Sequence, residues 1–402
     1  MERKHIHSAL CERHIVGMLA TVGRSLVAVA VGAFLCSAAA VAQAVPSPSP
    51  LPSATPSAPA ITVGGALTGY SVHTSGVNAT GALFNAGGTD TASRTDLSNA
   101  FVTIAKTSGT FRFNVLAGAY AFPVVGVALN PTFQKNANTD LFGIVPNAYV
   151  QYVPNPSVTF SAGILPTLFG QENAFTTQNV TIQRGLAWNA EPVVSRGIRA
   201  TWTRGKFAAN LELNDGFYSG SHPAVEGLFG WQAEASSNYQ LAYIVPSAST
   251  PPNRTAAVAN RAEYELMISK QYGKLQLLPY ILWMDSPRNT AAGFTKNQTA
   301  VGAVMLANYA FSAHWSLSAR FESIGNNSSV SDTSTNADAI GYGPGSTADT
   351  LTVTPQYRCG HLIARVEYSN VHASDFTTGL AFGTFGTDSR QTRYGFEMGL
   401  TY

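Results

Sequence analysis

Residues 391–402 read Gln-Thr-Arg-Tyr-Gly-Phe-Glu-Met-Gly-Leu-Thr-Tyr. Tyr394, Phe396, Met398, Leu400 and Tyr402 alternate with Arg393, Gly395, Glu397, Gly399 and Thr401. A strict two-residue period describes a β-strand whose two faces meet different surroundings. Five large apolar side chains on one face of a terminal strand would invite aggregation if that face met water. With lipid on the apolar side, a lumen on the polar side and an aromatic residue at the interface, the same pattern suits a transmembrane β-barrel.

The front of the chain agrees. Ser25 to Cys36 (SLVAVAVGAFLC) is a short apolar run behind Arg3, Lys4, Arg13 and Arg24. It leads into Ala42-Gln43-Ala44, a small-x-small cleavage site, so residues 1–44 are expected to be a signal peptide cut after Ala44. The run falls short of the roughly 20 apolar residues that a spanning helix needs. A start at Met18 would give a leader of more ordinary length. Phe34 and Leu35 stand where a lipobox needs small residues, so Cys36 is not read as a lipidation site. Residues 45–60 (VPSPSPLPSATPSAPA) form an extended Pro/Ser/Ala linker.

Composition narrows the class. The chain holds 24 basic and 22 acidic residues in 402. Cleavage removes Arg3, Lys4, Arg13 and Arg24 with Glu2 and Glu12, leaving 20 of each sign. A balanced chain has no basic surplus with which to neutralise phosphates, so no nucleic-acid partner is expected. Of the cysteines only Cys359 remains, too few for a disulfide or a thiolate metal site. No metal and no cofactor is expected.

Over 61–402 one pattern repeats. Strands are predicted at 61–74, 95–106, 109–120, 143–153, 157–165, 193–203, 206–215, 226–235, 240–245, 258–271, 274–285, 297–310, 314–324, 348–358, 360–372 and 391–402. Short joins carry turn chemistry, as at Ser108-Gly109, Pro154-Asn155-Pro156, Arg204-Gly205, Gly273 and Cys359-Gly360. They alternate with long polar connections. Short turns at one end and long loops at the other predict an all-β, antiparallel, up-and-down barrel of about 16 strands, within a range of about 14 to 18. Both termini fall at the short-turn end.

Period assigns the faces. Phe207, Leu211 and Leu213 should meet lipid and Glu212 the lumen. The same holds for Trp315, Leu317 and Phe321 against Arg320 and Glu322, and for Val366 and Tyr368 against Arg365 and Glu367. Arginine at mid-bilayer costs about 2–4 kcal/mol, so energetics and period agree. Phe111, Tyr152, Trp202, Phe207, Tyr272, Trp315, Tyr357 and Tyr402 gather beside the short turns, as in an interfacial girdle. Counted this way, Arg112, Arg199, Arg261, Arg320, Arg358, Arg365 and Arg393 face inward against Glu212, Glu234, Glu263, Glu265, Glu322, Glu367 and Glu397, a balanced wall.

The run Asn147-Ala148-Tyr149-Val150-Gln151-Tyr152 precedes Ala162-Gly163-Ile164-Leu165-Pro166-Thr167-Leu168-Phe169-Gly170-Gln171-Glu172. Thr181-Ile182-Gln183-Arg184-Gly185-Leu186, Glu191-Pro192 and Gly197-Ile198 follow. These segments resemble the OmpL-like β-barrel porin family of Gram-negative bacteria, and the likeness covers roughly 61–402. Gly185 departs from the family pattern, in which Ser often follows the Arg. The resemblance implies a passive pore in the bacterial outer membrane, in contact with its lipid and lipopolysaccharide, with no implied substrate. The terminal strand likewise resembles the recognition signal of outer-membrane barrels. Phe396, Leu400 and Tyr402 are then the residues offered to the barrel-assembly machinery.

Residues 166–192 form a long connection carrying Glu172, Arg184 and Glu191. Folded inward, Glu172 and Glu191 could pair with wall arginines such as Arg199, Arg112 or Arg320. Charges at a constriction are how pores select ions. The candidate pore-lining set is therefore Arg112, Glu172, Arg184, Glu191, Arg199, Glu212, Arg320, Glu322, Arg365 and Glu367. Catalysis is not expected: Ser369 and His372 fall on opposite faces of a strand, and no other nucleophile–base set is present. Two functions remain. One is a diffusion pore for small hydrophilic solutes; the other is a barrel with a plugged lumen, serving adhesion or envelope structure. About 16 strands favours the pore, because barrels of that size enclose an aqueous channel. Assembly into a homo-oligomer stays open.

Overall fold

The computed structural model describes residues 61–78, 90–129, 132, 142–220, 222–250, 260–334 and 336–402. The expected signal peptide and linker over 1–60 lie outside the described residues. Sixteen strands follow in order: β1 (Ile61–Ser75), β2 (Ser93–Lys106), β3 (Phe111–Tyr120), β4 (Asn147–Asn155), β5 (Val158–Pro166), β6 (Val194–Arg204), β7 (Phe207–Asn214) and β8 (Ala224–Glu234), then β9 (Ser237–Pro246), β10 (Ala262–Tyr272), β11 (Leu275–Ser286), β12 (Gln298–Ala310), β13 (Trp315–Asn326), β14 (Thr347–Cys359), β15 (Leu362–Ser374) and β16 (Arg390–Thr401). Each pairs antiparallel with its sequence neighbours, and β16 returns to β1 to close the barrel. The seam runs from Ala66 opposite Thr401 to Ser75 opposite Thr392. Its end is tied by two 2.9 Å bonds, Gly65 N–H to the Tyr402 carbonyl and Tyr402 N–H to the Gly65 carbonyl.

The strand count, the alternation of short and long joins, and the face assignments other than those of Arg112 and Glu234 match the sequence pattern. Strand ends differ from it by a few residues, most at β4, which starts four residues later, and at β10, which also starts four later. The short turns through Gly205, Gly273 and Gly360 hold those residues at φ of 59°, 57° and 55°. A Cβ at any of them would meet nothing within 4 Å, so the left-handed backbone alone calls for glycine there. The expected girdle is present. Phe111 lies 5.3 Å from Tyr152 between ring centroids, Trp315 lies 5.0 Å from Tyr357, and Tyr402 stacks on His361 at 5.3 Å.

The two halves of the lumen differ. Toward the long loops, Leu282, Met284, Ile324 and Val371 turn inward and pack with Phe169, Leu186 and Trp188 of the β5–β6 connection. Toward the short turns the lumen stays open as a cavity of about 750 Å³. The β5–β6 connection, residues 167–193, lies between them. It contains a 3₁₀ turn at Thr176–Gln178 and one short helix, α1 (Leu186–Ala190).

Candidate functional site

The loop of residues 167–193 is folded into the barrel, and the wall holds it by its main chain. Inward-facing carboxylates of four strands accept loop amides. Glu226 of β8 accepts the Leu168 N–H at 2.8 Å, and Glu265 of β10 accepts that of Gly170 at 2.8 Å. Glu367 of β15 takes the amides of Ile182 and Gln183 at 2.5 and 3.0 Å. Glu322 of β13 takes those of Leu186 and Ala187 at 3.2 and 3.1 Å, and so caps α1.

Wall arginines bind the loop's carbonyls in the complementary sense. Arg365 donates to the carbonyls of Asn179, Thr181 and Thr176 at 2.8, 3.0 and 2.9 Å. Arg320 donates to that of Gln183 at 2.7 Å, and Arg261 to that of Ala190 at 3.3 Å. Arg393 reaches a second inward segment, the carbonyls of Val124 and Val127, at 2.8 and 2.7 Å. That segment bridges to Arg184 in parallel. Bonds to charged groups are worth about 1.5–3 kcal/mol each, but burying the charges costs a comparable amount. The result is a fixed loop position more than a large net stabilisation.

Below the loop, the cavity of about 750 Å³ is lined by amides, among them Asn147, Gln171, Asn210, Gln240 and Gln276, with Leu278 and Leu306 between them. Its charged lining groups, Glu172 and Arg199, are both engaged: Glu172 with Arg320 at 2.7 Å, and Arg199 with Glu212 at 2.5 Å.

The family model described as "Putative beta-barrel porin-2, OmpL-like" matches residues 60–402. The chain belongs to this porin family. The anion-selective porin of Comamonas acidovorans superposes on 85% of this chain and 99% of its own, with a TM-score of 0.56 at 12% identity. A trimer form of OmpT, an outer-membrane protein of Vibrio cholerae, covers 86% of this chain and 100% of its own, with a TM-score of 0.54 at 9% identity. OprB of Pseudomonas putida covers 85% and 94%, with a TM-score of 0.53 at 10% identity. Identities this low make the likeness one of fold. No curated protein matches the chain. Family and fold together make the protein an outer-membrane porin, a channel for small solutes.

Within the porin, most of the charged residues picked from sequence meet at the loop. Glu172 pairs with Arg320, and Glu322 and Glu367 seat loop amides. Arg365 contacts Glu397 as well as the loop. Four expectations need correction. Arg112 does not reach the loop; its Nε donates to the Gly109 carbonyl at 3.0 Å in an exposed turn, because β3 carries it to the short-turn rim. Glu191 pairs with no arginine: both its oxygens lack a hydrogen-bond partner among the described residues. Arg184, a pore-lining candidate, does not line the cavity and is fully buried. Its guanidinium lies 5.6 Å from the Phe122 ring centroid and 5.4 Å from that of Trp188, and burial lowers its pKa. Glu234, counted with the lumen, sits at the rim and pairs with the ammonium of Lys270 at 3.0 Å.

Glu226 was missed. It stands one residue before Gly227 and Leu228 in a stretch whose alternation is blurred by Gly227 and Gly230, so the period gave no face for it. Gly185 also acquires a reason. A Cβ there would lie 1.9 Å from Glu322 Oε1, so a serine could not stand in that place while Glu322 caps α1.

Proposed function

We propose that this porin passes small, uncharged, hydrogen-bonding solutes between the long-loop and short-turn ends of the barrel. The observation that carries the proposal is the amide-rich cavity whose two charged lining groups are already paired. Asn and Gln side chains donate and accept without a net field, so they replace a solute's water without attracting one sign of ion. The similar porin of Comamonas acidovorans is anion-selective; the cavity lining supports no such preference here. Swelling of proteoliposomes tests this. Small polyols should enter faster than anions or cations of equal size, with a steep size limit. Faster entry of either charged class would overturn the proposal.

A signal peptide removed after Ala44 delivers the chain to the periplasm. The assembly machinery engages Phe396, Leu400 and Tyr402, and the long loops meet lipopolysaccharide. Association into a homo-oligomer is supported by the trimer form of one similar structure. Pore-lining roles fall to Glu172 and Arg199, while Glu212, Arg320, Glu322, Arg365 and Glu367 position those two groups and the loop. A second reading, a plugged barrel serving envelope structure, is favoured by one observation: the long-loop half of the lumen is packed with apolar side chains. Absence of any conductance in planar bilayers would select it.

A further inference from the structure

The loop's two carboxylates are treated differently by the wall. Glu172 has Arg320. Glu191 is 2% exposed and both its oxygens are unpartnered. A Cβ on Gly170 would come within 2.4 Å of Glu191 Oε2, and the Gly170 N–H is the one donated to Glu265 Oε2 at 2.8 Å. The carboxylates of Glu191 and Glu265 therefore converge on one glycine. Glu265 is 1% exposed and its Oε1 is unpartnered. Glu263 on the same face of β10 has an unpartnered oxygen too, as does the buried Tyr280 hydroxyl of β11.

Compensating charge is scarce at this place. Arg261 spends its Nε on Glu263 at 2.9 Å and its Nη2 on the Ala190 carbonyl. Glu172 of the loop and Glu322 of β13 add further negative charge. Burial, reinforced by Glu265, holds the Glu191 carboxyl well above the usual carboxylate range.

Two buried carboxyls that share a site cannot both ionise, and they titrate as a pair. We infer that Glu191 and Glu265 share one proton, and that this proton latches the 167–193 loop inside the barrel. The inference rests on the porin reading. With the loop docked, the pair keeps the proton. With the loop undocked, Glu191 stands in water and releases it above about pH 4.3. The docked state thus binds the proton more tightly, so docking is favoured as pH falls and weakened as pH rises through the raised docked value. When the proton leaves to water, two adjacent buried charges repel and drive the loop off the wall, which widens the lumen.

Single-channel conductance of the whole protein in planar bilayers, followed from about pH 5 to pH 9 across the carboxyl range and beyond, tests the latch. The expected result is a several-fold rise in conductance toward high pH. The Glu191→Gln variant should stay at the low-pH level throughout. A second variant guards against misfolding. A Cβ on Gly302 of β12 would lie 3.6 Å from that of Ala187, within the roughly 3.5–4.5 Å that a disulfide spans. An Ala187→Cys, Gly302→Cys pair in a Cys359→Ser background should lose the pH response when oxidised and regain it on reduction. A pH-independent wild-type conductance would overturn the latch, as would a response that persists in the oxidised tether. A response that follows added calcium or chelator, not pH, would replace the proton with a cation and overturn it as well. No conductance at any pH in any form would overturn the porin reading, and the latch with it.

Discussion

Glu172 Oε1 and Arg320 Nη1 lie 2.7 Å apart with no side-chain exposure on either partner. One belongs to the inward loop and the other to β13, so the pair is the loop's most direct charged tie to the wall. Removing one partner of a buried pair costs about 3–5 kcal/mol, because the other charge is left uncompensated. Arg320→Ala should therefore release the loop. Arg184 has 0% exposure in the docked loop, so the Arg184–Gly185 bond is shielded from trypsin. Limited proteolysis in proteoliposomes should show rapid cleavage there in the variant and slow cleavage in the wild type. Equal protection in both would show that other contacts hold the loop.

The cap on α1 makes a second, local prediction. Gly185→Ala would place a Cβ 1.9 Å from Glu322 Oε1. Glu322 would have to leave the amides of Leu186 and Ala187, at about 1–3 kcal/mol for a buried group losing its partner. Thermal unfolding in detergent should begin at lower temperature for this variant. Gly205→Ala tests a different cost, that of the backbone alone, since its Cβ would meet nothing. It should destabilise by about 1 kcal/mol. A larger loss for Gly205→Ala than for Gly185→Ala would contradict the cap.

Deleting Tyr402 removes both backbone bonds to Gly65 and the ring stacked on His361. The seam between β1 and β16 would then lack its terminal tie. We expect slower barrel assembly and less folded protein in the outer membrane, read as the heat-modifiable fraction on a gel. Tyr402→Asp keeps the backbone bonds but loses the ring stacked on His361 and places a charge at the interface, and it should impair assembly as well. Wild-type levels for both would show that the terminal aromatic is dispensable.

Ion selectivity should be weak. The cavity's charged groups are paired, so a reversal potential across a salt gradient should lie near zero. Arg199→Ala removes the partner of the buried Glu212 carboxylate. The variant should turn cation-preferring. A strong anion preference in the wild type would contradict the balanced lining.

The fold was legible because lipid and lumen impose opposite demands on successive residues. Val366 and Arg365, or Leu211 and Glu212, could face only one way each. The loop was legible as a long charged connection, and Glu172 met Arg320, one of the three wall arginines named for it. Its seating was not. Glu367 and Ile182 are 185 residues apart, and what Glu367 binds is an amide, which every residue but proline supplies. Side-chain identity leaves no trace of such a contact. The same holds for Glu226 and the Leu168 amide. Glu191 misled for a related reason: a loop acid facing a wall rich in arginine suggests an arginine partner, whereas the docked loop brings it to Glu265 at Gly170.

Because much of the wall's grip is on amides and carbonyls, it recognises the path of the loop together with a few of its side chains, Glu172 and Gln183 among them. The barrel then behaves as a chassis and residues 167–193 as an exchangeable cartridge. A graft that keeps the backbone trace, with Gly170, Glu172, Gln183 and Gly185 in place, should seat in the same socket while presenting new chemistry to whatever passes.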